Sequence, residues 1–207
     1  MSRRAAAATS DAPRRLPRAT ERELRRIQRR IERYYALESA PDVVLFASAG
    51  SSGEREVLLV RDGGPSVEMA LRVPGDRPRA GANDVWLQLV EGVSHFVYLA
   101  ERVRTGLPTT QLELELQAEI DKFVFLAFDP DGAEPEQALS LHEKLYSNVE
   151  FLHPRASEVG ERYWLANQLA AQLSARLLRR AAVDVKALLR RFYRAGQAEK
   201  IALARAA

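Results

Sequence analysis

The chain has 207 residues, 46% of them apolar, a formal net charge of +3 and no cysteine. That length suits one domain plus a tail, and the absence of cysteine excludes disulfides, thiolate nucleophiles and thiolate zinc sites together. The longest apolar runs, residues 43–47 and 123–128, are far shorter than the ~20 residues that cross a bilayer.

Charge is unevenly spread: residues 1–35 carry +7, residues 36–175 carry −11 and residues 176–207 carry +7. Such a split suits basic helices lying on an acidic body, or a surface that meets an acidic partner. Residues 1–18 are rich in Arg, Ala and Pro with almost no large apolar side chain, so a disordered basic arm is expected there, ahead of a single domain over 19–207. Ala5 to Ala8 run at once into Thr9, Ser10 and Asp11, which is not the apolar stretch of a secretory leader, and the cytoplasm is the expected compartment.

Thr20 and Glu23 read as a capping box, and Leu24, Ile27, Ile31, Tyr34 and Tyr35 then recur at helical spacing, which predicts a helix over 20–38 with arginines on its outer face. Beyond Pro41 the period changes. Residues 43–48, 56–61 and 66–73 are short, rich in Val and Leu and separated by glycine-containing turns, which predicts a three-stranded antiparallel meander over 43–73. Asp62-Gly63-Gly64-Pro65 is its hairpin signal. Residues 84–206 read as helical: an apolar stripe from Trp86 to Val103, a stop at Gly106 and Pro108, and a second capping box at Thr110 and Glu113. The Leu-Glu-Leu-Glu-Leu stretch from Leu112 would suit a strand by itself, but the spacing beyond it favours helix. Asp129-Pro130-Asp131-Gly132 marks a turn, residues 136–147 a short helix, Ser157 the start of a long one, and 183–193 and 197–206 two basic amphipathic helices. The expected fold is therefore α+β, a small antiparallel β-meander with a larger helical part packed on it.

Three histidines are the first suspects for acid–base or metal chemistry. Glu91 and His95 lie four apart and share a helix face, as do Glu115 and Glu119, while Glu150 and His153 have the Glu-x-x-His spacing of carboxylate-bridged metal sites in helical bundles. A ferritin-like site needs two such pairs, and here one stands directly before Pro154. No Gly-x-Ser-x-Gly, lysine-bearing phosphate loop or Gly-x-Gly-x-x-Gly occurs, so the motifs of serine hydrolases and nucleotide enzymes are missing. Gln117 and Asn167 lie within apolar stretches and need hydrogen-bond partners if buried.

The function expected on these grounds is a cytoplasmic, non-catalytic binding or adaptor protein without a cofactor. It would engage an acidic partner, protein or nucleic acid, through Arg25, Arg26, Arg29, Arg30 and Arg33 at one end and Arg190, Arg191 and Arg194 at the other. The alternative is a metal-assisted enzyme that holds a divalent metal between helices on Glu91, His95, Glu115, Glu119 and His153.

Overall fold

Leu24, Ile27, Ile31 and Tyr35 recur every three or four residues and are all buried, which sets both the helix α1 (Arg18–Tyr35) and the face it turns inward. In the computed structural model α1 starts two residues before the expected position, with Pro17 as its cap and Thr20 inside the helix. Proline fixes its own φ and Leu16 is buried just ahead of it, so the chain enters the helix already anchored. Ala36 closes α1 in the left-handed region at φ 50°, its N–H on the Glu32 carbonyl.

The structure describes residues 14–38, 40–51, 54–62, 67–75, 82–128, 135–147 and 149–206. Residues 1–13 of the expected arm lie outside these, as do most of the turns expected at 62–65 and 129–132. The last residues assigned to the arm belong to the fold instead: Leu16 is buried and Arg14 bridges to Ala49.

Residues 43–48 do not make the expected strand. The Asp42 carboxylate accepts from the Val44 N–H and winds Val43–Leu45 into one 3₁₀ turn, which leaves β1 with only Ala47–Ala49. That turn sends Val43 into the core and brings Phe46 to 5.1 Å from Phe96, ring centre to ring centre. β2 (Val57–Asp62) and β3 (Val67–Val73) pair antiparallel, from Val57 opposite Arg72 to Asp62 opposite Val67. β1, however, pairs with β3 in parallel, Ala47 opposite Leu71, so the strand order is β1-β3-β2 and the sheet is mixed rather than an antiparallel meander. Burial explains the order. Leu71 and Val73 are fully buried, which gives β3 the central place and leaves β2, with Val57, Leu59 and Val60 exposed, at an edge.

Helices α2 (Ala82–Arg104) and α3 (Gln111–Ala127) form the central hairpin. Gly106, at φ 65°, and Pro108 separate them, and Thr110 with Glu113 makes the reciprocal cap of α3 that the sequence suggests. α3 is buried nearly all round because α2 packs on one side of it and α5 on the other; Glu113, Leu114, Glu115 and Leu116 of its alternating stretch all lie inside. α4 (Pro135–Tyr146), α5 (Glu158–Leu177, capped by Ser157), α6 (Ala182–Arg194) and α7 (Gln197–Arg205) complete the helical part, so the fold is α+β. Among the described residues no helix is long and apolar enough to cross a membrane.

Candidate metal centre

The hairpin of α2 and α3 lays Glu91 and His95, one turn apart on the first helix, against Glu115 on the second. Each of the three offers a ligand atom, and these atoms all lie within 4.8 Å of one another. Three ligands each about 2.1 Å from a tetrahedral ion stand about 3.4 Å apart, so closure by up to about 1.4 Å would bring the trio to coordinating distance and leave a fourth position open. His95 Nε2 sits 3.7 Å from Glu115 Oε2, beyond hydrogen-bond distance, and is buried with no hydrogen-bond partner. The backbone of Leu114, on α3, also acts on the ring. Burial pushes His95 below the ordinary histidine range, so the ring is neutral, the form that ligates.

Further charged groups enclose this trio. Lys122 Nζ lies 2.6 Å from Glu119 Oε1 and 3.3 Å from Glu91 Oε2, and an Arg55 nitrogen lies 3.8 Å from the same Glu91 oxygen. Burial alone would lower Lys122, but Glu119 and Glu91 outweigh it and raise the ammonium's pKa. For Glu91 burial is likewise outweighed, by Lys122, His95 and Arg55, and this carboxylate titrates below its usual range. Its neighbours go the other way: burial first and Glu91 second push Glu115 up to about 7 and Glu56 up to about 8.

Two glycines make the enclosure possible. A Cβ on Gly92 would stand 2.9 Å from Leu71 Cδ1 and 3.5 Å from Glu56 Cβ, so the bare helix surface lets the sheet bring Glu56 onto α2. A Cβ on Gly160 would stand 2.1 Å from the Pro154 carbonyl oxygen, and its absence lets the preceding loop fold back over α5. From α5 Tyr163 lies close enough to act on Glu115, and the His153 ring stacks on Tyr163 with centres 6.1 Å apart.

Of the five ligands expected, the structure thus brings together Glu91, His95 and Glu115. Glu119 lies one turn further along α3 and spends its carboxylate on Lys122. His153 is exposed and, like Glu150, lies outside any helix, so their Glu-x-x-His spacing does not place them on one face. Glu56, Lys122, Arg55, Arg162 and Tyr163 were not legible as site residues: Glu119 with Lys122 has the spacing of an everyday surface pair, and Tyr163 that of a core position.

The arginines expected to meet a partner are largely engaged inside the molecule. Arg30 is buried, with its guanidinium 4.0 Å over the Phe125 ring and a hydrogen bond to the Phe125 carbonyl. Arg190 donates to the Tyr34 carbonyl and Arg194 to those of Tyr35 and Ala36, while Arg25 pairs with Asp42 and Arg191 with Glu199. Arg26, Arg29 and Arg33 point outward.

A second polar cluster is sealed in the core between α1, α2, α3 and α7. Lys200 Nζ donates to Gln117 Oε1 at 2.7 Å, Gln117 donates to Asp121 and to the Tyr35 hydroxyl at 3.1 Å each, and Ser94 and Tyr35 donate to Asp121. Its hydrogen bonds are made among its own members, the pattern of a structural network. The chain matches no family model, no curated protein and no solved structure.

Proposed function

We propose that the chain is a metal-assisted enzyme that holds one divalent ion between α2 and α3 on Glu91, His95 and Glu115. The observation that carries the reading is the convergence of those three ligand atoms around an imidazole nitrogen that is buried and has no hydrogen-bond partner. One imidazole with two carboxylates suits a first-row ion between Mn²⁺ and Zn²⁺. Such an ion would activate a bound water, and Glu56, pushed up to about 8 by burial and by Glu91, is the proton acceptor this reading assigns to it. The test is metal analysis of the purified full chain after equilibration with Mn²⁺ or Zn²⁺ and desalting. One equivalent should be retained, the melting temperature should rise with metal, and His95→Ala should abolish both; at 100 times Kd the added stability is about 2.7 kcal/mol. Failure of the wild-type chain to retain metal, or retention undiminished in His95→Ala, would refute it.

A second reading, contact with an acidic protein or nucleic acid, draws on the outward row Arg22, Arg26, Arg29 and Arg33 along one face of α1. Binding of that kind weakens steeply with salt and with reversal of Arg26 and Arg29 to Glu; a salt-insensitive association would count against it.

A further inference from the structure

We infer that Lys122 fills the second cation position of this centre with its own ammonium, which limits the chain to one metal ion and keeps Glu119 out of its coordination shell; the inference rests on the metal reading above. Geometry leads to it. Glu91 and His95 lie one turn apart on α2, Glu115 and Glu119 one turn apart on α3, and the contacts His95–Glu115 and Glu91–Lys122 show the two helices running in opposite directions. Glu91 therefore stands between two groups. It converges on one side with His95 and Glu115, the three ligand atoms all within 4.8 Å of one another. On the other side it lies 3.3 Å from Lys122 Nζ, which is also 2.6 Å from Glu119 Oε1.

Two-metal sites are built on this plan, with ions about 3.5–4 Å apart. Here a mostly buried side chain from the next turn of α3 takes the place of the second ion. An amine so close to two carboxylate oxygens is an ammonium, and its charge repels a further divalent ion. The two positions also differ in what they leave unmatched. His95 Nε2 is buried without a hydrogen-bond partner, whereas Glu91 and Glu119 both accept from Lys122. With the ammonium removed, Glu91 and Glu119 would offer carboxylate oxygens alone, which suit a hard ion such as Mn²⁺ with water completing its shell.

The experiment counts the Mn²⁺ retained by the full chain after equilibration with excess metal and desalting, and records its electron spin resonance. The wild-type chain should keep one equivalent and give the spectrum of an isolated ion. Lys122→Ala, which removes the charge and leaves room, should keep two and give that of a magnetically coupled pair. Lys122→Gln, neutral yet able to donate to Glu119, provides the same test should Lys122→Ala fail to fold. Adding Glu119→Gln to either variant should return the count to one, and Lys122→Arg, which keeps the charge, should hold one. A lysine that only braces the two helices would cost stability on replacement without gaining an ion. Two equivalents in the wild type or in Lys122→Arg, no more than one in each neutral variant, or a second ion that survives Glu119→Gln would overturn the inference while leaving the metal site standing. A wild-type chain that takes up no Mn²⁺ would overturn both.

Discussion

Lys200 shows how far one residue can depart from its usual chemistry. It is fully buried, 4.1 Å from the Phe192 ring centre and 4.8 Å from that of Tyr98, with a single side-chain oxygen as hydrogen-bond acceptor. Burial pulls its ammonium down to about 7, against the smaller opposing pull of Asp121 and Glu113. Between about pH 7 and about pH 10.5 the folded chain therefore gives up this proton while the unfolded chain keeps it, and stability from this group rises with pH across that window. Tyr35 and Tyr193, buried and raised above the ordinary tyrosine range, act with the opposite sign above about pH 10. Urea unfolding at stepped pH should show the rising flank in the wild-type chain and a flattened one in Lys200→Met; an unchanged flank in the variant would assign it to other groups. Nothing in the local sequence distinguished Lys200 from the solvated lysines of a basic helix, because its burial is set by aromatics from α2 and α6.

Among the elements, those governed by local chemistry were legible and those governed by pairing at a distance were not. Helices α2, α3, α5, α6 and α7 follow from periodicity, caps and breakers, each a property of neighbouring residues. The 3₁₀ turn at Val43–Leu45 reads as strand from its β-branched residues, and only the Asp42 side chain on the Val44 N–H reveals it. Parallel pairing of β1 with β3 has no local signature. The candidate centre divides the same way: Glu91, His95 and Glu115 fall at helical spacings, whereas Glu56 and Arg162 arrive from the segment just before β2 and from α5, which only the tertiary fold brings in. The start of α3 allows a quantitative check, because Glu113 both closes the capping box and receives the buried Arg102 at 2.8 Å. Thr110→Ala removes one cap bond and should cost about 1 kcal/mol, while Glu113→Ala also strands a buried guanidinium and should cost about 3–5 kcal/mol. Chemical denaturation of the two variants should show that ratio; equal losses would mean Arg102 is not held by Glu113.

At the scale of the whole molecule, the divided charge of the sequence resolves into two separate arrangements. The acidic middle turns several carboxylates inward around Lys122, His95 and the two arginines of the candidate centre. The basic ends meet each other instead: α6 sends Arg190 and Arg194 to the last carbonyls of α1, and Arg30 of α1 reaches the carbonyl of Phe125 at the end of α3. Helix C-termini carry unsatisfied carbonyls and partial negative charge, so a guanidinium there does the work of a cap without needing an acidic side chain. Ion pairs that do lie on the surface, such as Arg61–Glu68 and Arg191–Glu199, are largely exposed and contribute little. Stability should accordingly be nearly indifferent to salt. Between about 0.1 M and about 1 M NaCl the screening length falls from about 10 Å to about 3 Å, yet the unfolding free energy of the metal-free chain should change by under about 1 kcal/mol. A loss of several kcal/mol over that range would mean that the ends are held to the middle by long-range charge, because hydrogen bonds from partly buried guanidiniums to main-chain oxygens are screened far less than exposed pairs.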